Sequence, residues 1–367
     1  MAPPSARSLP PRARLLLPIF LALLIGLSLY RLGQPGGPGS QGAADGEGLL
    51  VFSGGAMGTS YSVKLVRAQT GAGAGIAQAA LERAVVDAFE VVEQAMSSYR
   101  PDSELSRFNA SRGTDAVAIS KATREVFEVA LQVGRASEGA LDVSIGPVVD
   151  AWGFGPDAGT PAPDAGVLAQ LGQRVGLDKL ELTVAGLRKH HPALRCDLSA
   201  VAKGYAVDRA VEALEALGQR DFLVELGGEL GARGRRPDGK PWRVAIEKPL
   251  VEQRAVQRAL PLQDLGLATS GDYRNFHERS GRRLSHLIDP RRLRPVDHGL
   301  ASVSVVHERV AVADAWATAL SVLGPEAGPR VAEANGLMAF FIVRGADGSF
   351  TTRMTPRFAS AYPEEDL

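Results

Sequence analysis

Asp314 and Thr318 lie four residues apart in the run 310–323. On a helix that spacing puts a carboxylate and a hydroxyl on one face. Both are oxygen ligands suited to a hard cation such as Mg2+. Their neighbours Val312, Ala313, Ala315, Trp316, Ala317, Ala319 and Leu320 are nearly all apolar. A helix apolar on most sides is buried, and a buried carboxylate needs a partner. The pair therefore favours a cation over a solvated polar face. A second chemical stretch is residues 197–208, which opens with Asp197 and carries Ala200, Lys203 and Gly204. Asp197 and Ser199 are of the type that caps a helix start. Val207, Val211, Leu214 and Leu217 then recur at helical spacing, and Gly218 supplies a stop. A strand-to-helix entry of this kind offers free backbone N–H groups and a positive dipole end, which suit phosphate. A capped surface helix with a solvated lysine is the plain alternative.

Other polar residues are less committed. His286 and Asp289 share one extended segment, but at i and i+3 they face opposite sides of an ideal strand and do not share one task. Asp142 sits among apolar residues in the alternating run 140–147, where burial demands a partner. The polar loop 97–109 carries an exposed-type Tyr99, and its composition suits either an ordinary loop or the lining of a planar ligand. Gly227-Gly228 ends an expected strand, 222–230, and lets backbone or ligand approach closely. Cys196, the single cysteine, excludes an intrachain disulfide and suits a buried strand end.

These residues need elements to hold them. Strands are expected at 49–52, 61–66, 243–248, 267–273, 301–306 and 338–343, and a glycine-rich bend at 54–59. Helical stripes run through Leu81, Val85, Phe89, Val92 and Met96, and through residues 120–137. Strands and helices mix without regular βαβ alternation, which predicts an α+β fold with mostly antiparallel sheet packed by helices. The charge balance is 41 basic against 41 acidic residues in 367. That lacks the basic footprint of a nucleic-acid binder. Arg7, Arg12 and Arg14 precede an apolar core at 15–30, so residues 1–32 are expected to be an export segment. An uncleaved inner-membrane anchor is preferred, with the folded part in the periplasm; a cleaved signal is the alternative. Residues 33–48 make a Gly/Pro linker, 49–357 the folded domain and 358–367 a tail.

Taken together, the motifs resemble one family. They are Met57-Gly58-Thr59, Ser98-Tyr99 with residues 102–109, Ala140-Leu141-Asp142 with Gly146-Pro147, and residues 197–208. Gly227-Gly228, residues 269–273, residues 286–290 and the Asp314/Thr318 pair follow in order. The set is similar to the bacterial FAD:protein FMN transferases, the ApbE-type flavin transferases. The resemblance implies an exported, Mg2+-dependent transferase that cleaves FAD, releases AMP and attaches FMN by a phosphoester to a Thr or Ser of an acceptor protein. A membrane redox-pump subunit is one acceptor the family suggests. By the same resemblance Met57, Tyr99, Ala140, Leu141, Asp142, Asp197, Lys203 and Leu287 would contact FAD. Ala200 (through its carbonyl), Asp314 and Thr318 would hold the metal, and His286 would handle the acceptor hydroxyl proton. Many family members carry a lipid-attachment cysteine after the signal, and this chain does not. An FAD pyrophosphatase, or an exported protein that only binds FAD, would use much of the same site.

Overall fold

The computed structural model describes residues 49–155, 162–250, 255–271, 276–279 and 282–363, with backbone only for 276–279 and 282–284. The expected export segment 1–32, the linker 33–48 and the last residues of the tail lie outside the described residues. Among the described residues no helix is long and apolar enough to cross a membrane.

Eight strands form one sheet whose spatial order follows chain order. They are β1 (Leu49–Ala56), β2 (Thr59–Val66), β3 (Phe222–Leu226), β4 (Glu229–Arg233), β5 (Gly266–Gly271), β6 (Leu300–His307), β7 (Met338–Arg344) and β8 (Phe350–Met354). Every neighbouring pair is antiparallel. The helices are α1 (Gln78–Met96), α2 (Glu104–Ala110), α3 (Lys121–Ala136), α4 (Ser199–Ala216) and α5 (Val310–Ala334), joined by shorter ones. The fold is thus α+β with antiparallel sheet, as the mixed pattern predicts.

Both faces of the sheet are covered. On one, Phe89, Phe127, Val207 and Leu320 of the helices pack with Val63, Val224 and Val303 of the strands. A second cluster joins Leu223, Leu267, Val306 and Phe340 of the sheet to the hairpin Trp242–Glu247/Val256–Leu262 and the helix Pro356–Ala361. Seven of the eight β6 residues are consequently buried, the pattern of a strand covered on both sides. In α1 the stripe Leu81, Val85, Phe89, Val92 and Met96 is buried throughout, because residues three and four apart share one helix face.

Several local expectations change. The bend at 54–59 narrows to a two-residue turn at Met57 (φ 50°) and Gly58 (φ 72°), because β1 runs on to Ala56. Positive φ at both positions matches the right-handed twist of a tight hairpin. Residues 222–230 are two paired strands, not one. Gly227 (φ 61°) and Gly228 (φ 107°) turn the chain between them, so Glu229 begins a new strand. Residues 140–147 form turns and the start of a short helix instead of a strand. Part of the loop 97–109 is α2, whose first turn is capped by Ser103 Oγ, which accepts from Ser106 N–H at 3.0 Å. Gly324 (φ 80°, ψ −176°) interrupts α5 where a helix end at 323 is expected, but helix resumes beyond it to Ala334. The packed fold also runs past 357, since Phe358 is fully buried.

Candidate functional site

One cleft of about 1370 Å³ opens beside the ends of β2–β5 and the starts of α4 and α5. It exceeds the roughly 300–1,000 Å³ usual for small-molecule sites and has room for a dinucleotide. Tyr99, Ala140, Leu141, Asp142, Asp197, Ala200, Lys203, His286, Leu287, Asp314 and Thr318 all line it. Of the residues picked from sequence only Met57 does not. It packs partly buried against the helix-side core, two residues from Thr59, which does line the cleft.

Local chemistry explains how distant segments meet. Ile145 bridges Arg195, and Asp197 N–H donates to the Val143 carbonyl at 2.8 Å. Those contacts place the Asp142 turn beside the entry to α4. Asp142 Oδ1 accepts from the Ser144 N–H (2.8 Å) and hydroxyl (2.7 Å), the partner its burial requires. Burial still raises its carboxyl above the ordinary range, against those hydrogen bonds. Asp197 Oδ1 accepts from Ser199 N–H at 2.8 Å. The residue preceding α4 is Leu198, which gives no side-chain cap, so Asp197 supplies the cap from one position earlier and Ser199 lies inside the helix. Tyr99 stands 70% exposed at the rim. Asp289 is held by Arg291 through two side-chain contacts of 2.9 and 3.0 Å, so it anchors its own turn and leaves His286 to the cleft. Cys196 is buried, and burial pushes its thiol far up, which makes it inert.

The meeting of α4 and α5 is the polar centre. Asp314 is 5% exposed, and its Oδ2 accepts from Gly204 N–H at 3.0 Å. In a regular helix that N–H serves the carbonyl four residues earlier, which is Ala200. Asp314 therefore competes for the donor of the Ala200 carbonyl. Burial raises the Asp314 carboxyl, against Lys203 and the Gly204 N–H. Burial alone would lower the Lys203 ammonium, but Asp314 and Glu229 outweigh it and hold it above its ordinary value. At the other end of the contact, Asp208 on α4 takes both first N–H groups of α5: Oδ1 from Val310 (2.7 Å) and Oδ2 from Ala311 (3.0 Å). Arg309, the residue preceding α5, caps nothing with its side chain. One helix thus carries Lys203 and pins the start of the helix that carries Asp314 and Thr318.

Gly204 is the close-approach point. A Cβ there would lie 2.5 Å from the Val310 carbonyl oxygen and 2.8 Å from Asp314 Cβ. Gly204→Ala is expected to lose about 1–3 kcal/mol from overpacking, seen as a shifted denaturation midpoint, with Asp314 displaced from the cleft. An unchanged midpoint and unchanged ligand binding would count against this tight contact.

Sequence reasoning missed Glu229, Asp208, Glu225, Lys64 and Glu247. All but Asp208 line the cleft. The available sign for Glu229 was a carboxylate directly after Gly-Gly, flanked by Leu226 and Leu230.

An antiparallel sheet with a polar, dinucleotide-sized cleft at one end, and Asp314, Thr318 and Lys203 gathered inside it, is the frame of a nucleotide-handling protein. The ApbE family model matches residues 57–341, and the chain belongs to the ApbE family. A relative from Vibrio cholerae named FAD:protein FMN transferase is 42% identical over 301 residues, covering 81% of this chain and 88% of the relative. One of the same name from Haemophilus influenzae is 39% identical over 319 residues, covering 84% and 90%. The solved structure of Pseudomonas stutzeri flavinyl transferase ApbE, apo form, superposes with TM-score 0.79 at 39% identity, covering 86% of this chain and 98% of that one.

Proposed function

We propose that the protein is an FAD:protein FMN transferase. The observation that carries this reading is the gathering of family-matched residues from five separate stretches, around Tyr99, Asp142, Asp197 with Lys203, Leu287, and Asp314, on one cleft of a chain in the ApbE family. The acceptor is a Thr or Ser hydroxyl of another protein. Its oxygen attacks the FMN phosphorus, the P–O–P bond breaks, AMP leaves, and His286 takes the hydroxyl proton, a task suited to imidazole near neutral pH. Lys203 sets positive charge beside the diphosphate. Tyr99, Leu141 and Leu287 offer flat and apolar contacts to the rings.

Charge counting supports a divalent cation. Asp142, Asp197, Glu225, Glu229, Glu247 and Asp314 line the cleft against Lys64 and Lys203, six carboxylates to two lysines. An anionic diphosphate meets that field favourably only with added positive charge. No group of three or more His, Cys, Asp or Glu suited to a metal occurs among the described residues. The candidate donors are instead one carboxylate, one hydroxyl and one carbonyl: Asp314, Thr318 and Ala200, all oxygens that fit Mg2+. When bound, the ion supplies charge neutralisation at the diphosphate. The basic-then-apolar N-terminus supports export and inner-membrane attachment, with the acceptor met in the periplasm; a membrane redox-pump subunit fits that meeting place. Fractionation of the full chain, with and without residues 1–32, tests this, and a soluble full chain would refute the anchor.

The deciding experiment mixes purified protein, FAD, Mg2+ and a candidate acceptor domain. Flavin fluorescence on the denatured acceptor band is expected. Free FMN with unlabelled acceptor would indicate a pyrophosphatase. Bound FAD without turnover would leave only a flavin-binding protein.

A further inference from the structure

Three carboxylates in the cleft, Glu225, Glu229 and Glu247, have no task in the reaction above, and of these only Glu229 is buried. Glu229 opens β4 immediately after the Gly227-Gly228 turn and is 3% exposed. Its Oε1 is ion-paired with Lys203 Nζ, while its Oε2 is buried without a hydrogen-bond partner. Burying a carboxylate is costly, and a half-satisfied one more so. An apolar residue of similar size would serve the strand better. The position is better explained by what the carboxylate does to Lys203.

A lysine is a compact charge on a flexible four-carbon stem, and ordering it costs rotamer freedom. In this cleft Lys203 has both Glu229 and Asp314 near its ammonium. Glu229 stands on a strand of the main sheet, where its own direction is fixed by pairing with Leu226 across the turn. Groups held by rigid elements place charge more accurately than groups on loops.

We propose that Glu229 is a positioning residue: it fixes the Lys203 ammonium at the diphosphate end of the cleft before substrate arrives. This rests on the FMN-transferase reading. Glu229 acts through Lys203 and touches no reacting atom. Preorganisation of this kind removes an ordering cost from binding. Burial and the neighbouring Asp314 push the Glu229 carboxyl up, and the Lys203 ammonium opposes them by favouring the ionised form.

The test is a double-mutant cycle read by FAD affinity, from flavin fluorescence titration with Mg2+, and by steady-state transfer. Glu229→Gln is expected to weaken FAD binding and raise KM for FAD about tenfold, with kcat within about threefold. Lys203→Met should lose at least as much. The double variant should be no worse than Lys203→Met alone, because a residue that acts through another adds nothing once that residue is gone. Glu229→Asp, which keeps the charge, should recover part of the affinity; melting temperatures identify any variant that fails to fold, and Glu229→Asp then carries the comparison. Additive losses in the double variant, or an unchanged KM in Glu229→Gln, would overturn the proposal. If the wild type binds FAD but transfers no FMN, the functional reading fails, while the affinity cycle still decides whether Glu229 works through Lys203.

Discussion

Asp314→Ala is expected to lower FMN transfer about 10²–10³-fold, the usual cost of losing one preorganised electrostatic group, while the fold survives. The second half of that expectation follows from the contacts. Asp314 accepts one backbone N–H, from Gly204, and that donor can return to the Ala200 carbonyl within α4. Removing the carboxylate also removes a group whose ionisation burial already opposes. Lys203 keeps Glu229 as its counter-ion. The first half follows from position: Asp314 is the one carboxylate that joins α4 to α5 inside the cleft, and its loss leaves Thr318 and the Ala200 carbonyl as the only proposed donors. Acceptor labelling followed across a Mg2+ titration, beside a circular dichroism spectrum, measures both halves. Full activity without added metal would refute the metal assignment.

Asp208→Ala should give the largest loss of stability. It strands the N–H groups of Val310 and Ala311 in the interior, each at a cost of about 1–3 kcal/mol, and lowers the melting temperature by several degrees. The pH dependence adds a sharper signature. Burial, opposed by those two N–H donors, pushes the Asp208 carboxyl up to about 6 from its ordinary 3.8. The folded chain therefore binds this proton more tightly than the unfolded chain. The stability that ionisation governs is full below pH 4, falls as pH rises through the window to 6, and is flat above it. Asp208→Asn does not titrate, so the wild type's margin over it should shrink across that window. Denaturant titrations of both proteins at pH 4.5 and 7 provide the measurement. A margin that grows with pH would reverse the assignment.

Much of the site was readable from residue type and spacing. Asp314 and Thr318 announced themselves because a polar i,i+4 pair in an apolar helix has no cheap explanation. Asp142 did so for a similar reason, and its partner proved to be Ser144. Glu229 and Asp208 were hidden because their meaning depends on what lies across from them. A glutamate after Gly-Gly looks like a solvated strand start until the hairpin folds it inward over Lys203. An aspartate one turn beyond Gly204 looks like helix surface until the start of α5 arrives to be capped. The α+β class followed from irregular alternation, yet the one-to-one match of chain order and sheet order did not, since strand periodicity says nothing about which strand lies next to which. The hairpin turn at Met57-Gly58 was blurred because three glycines in five residues, 54–58, permit a bend anywhere among them.

That sheet order bears on how the molecule forms. Leu65 of β2 pairs with Phe222 of β3, so two adjacent strands are joined by a connection that holds α1 to α4 and the shorter helices between them. Closing so long a loop carries an entropic cost before any pairing offsets it, and such distant pairings slow folding. The cleft lies across this seam, with Thr59 and Ser60 from one side and Glu225 and residues 227–230 from the other. Flavin binding therefore reports topological completion: a chain that has built its helices but not closed the seam holds Lys203 and Glu229 on one side of the cleft without the Thr59–Ser60 wall on the other.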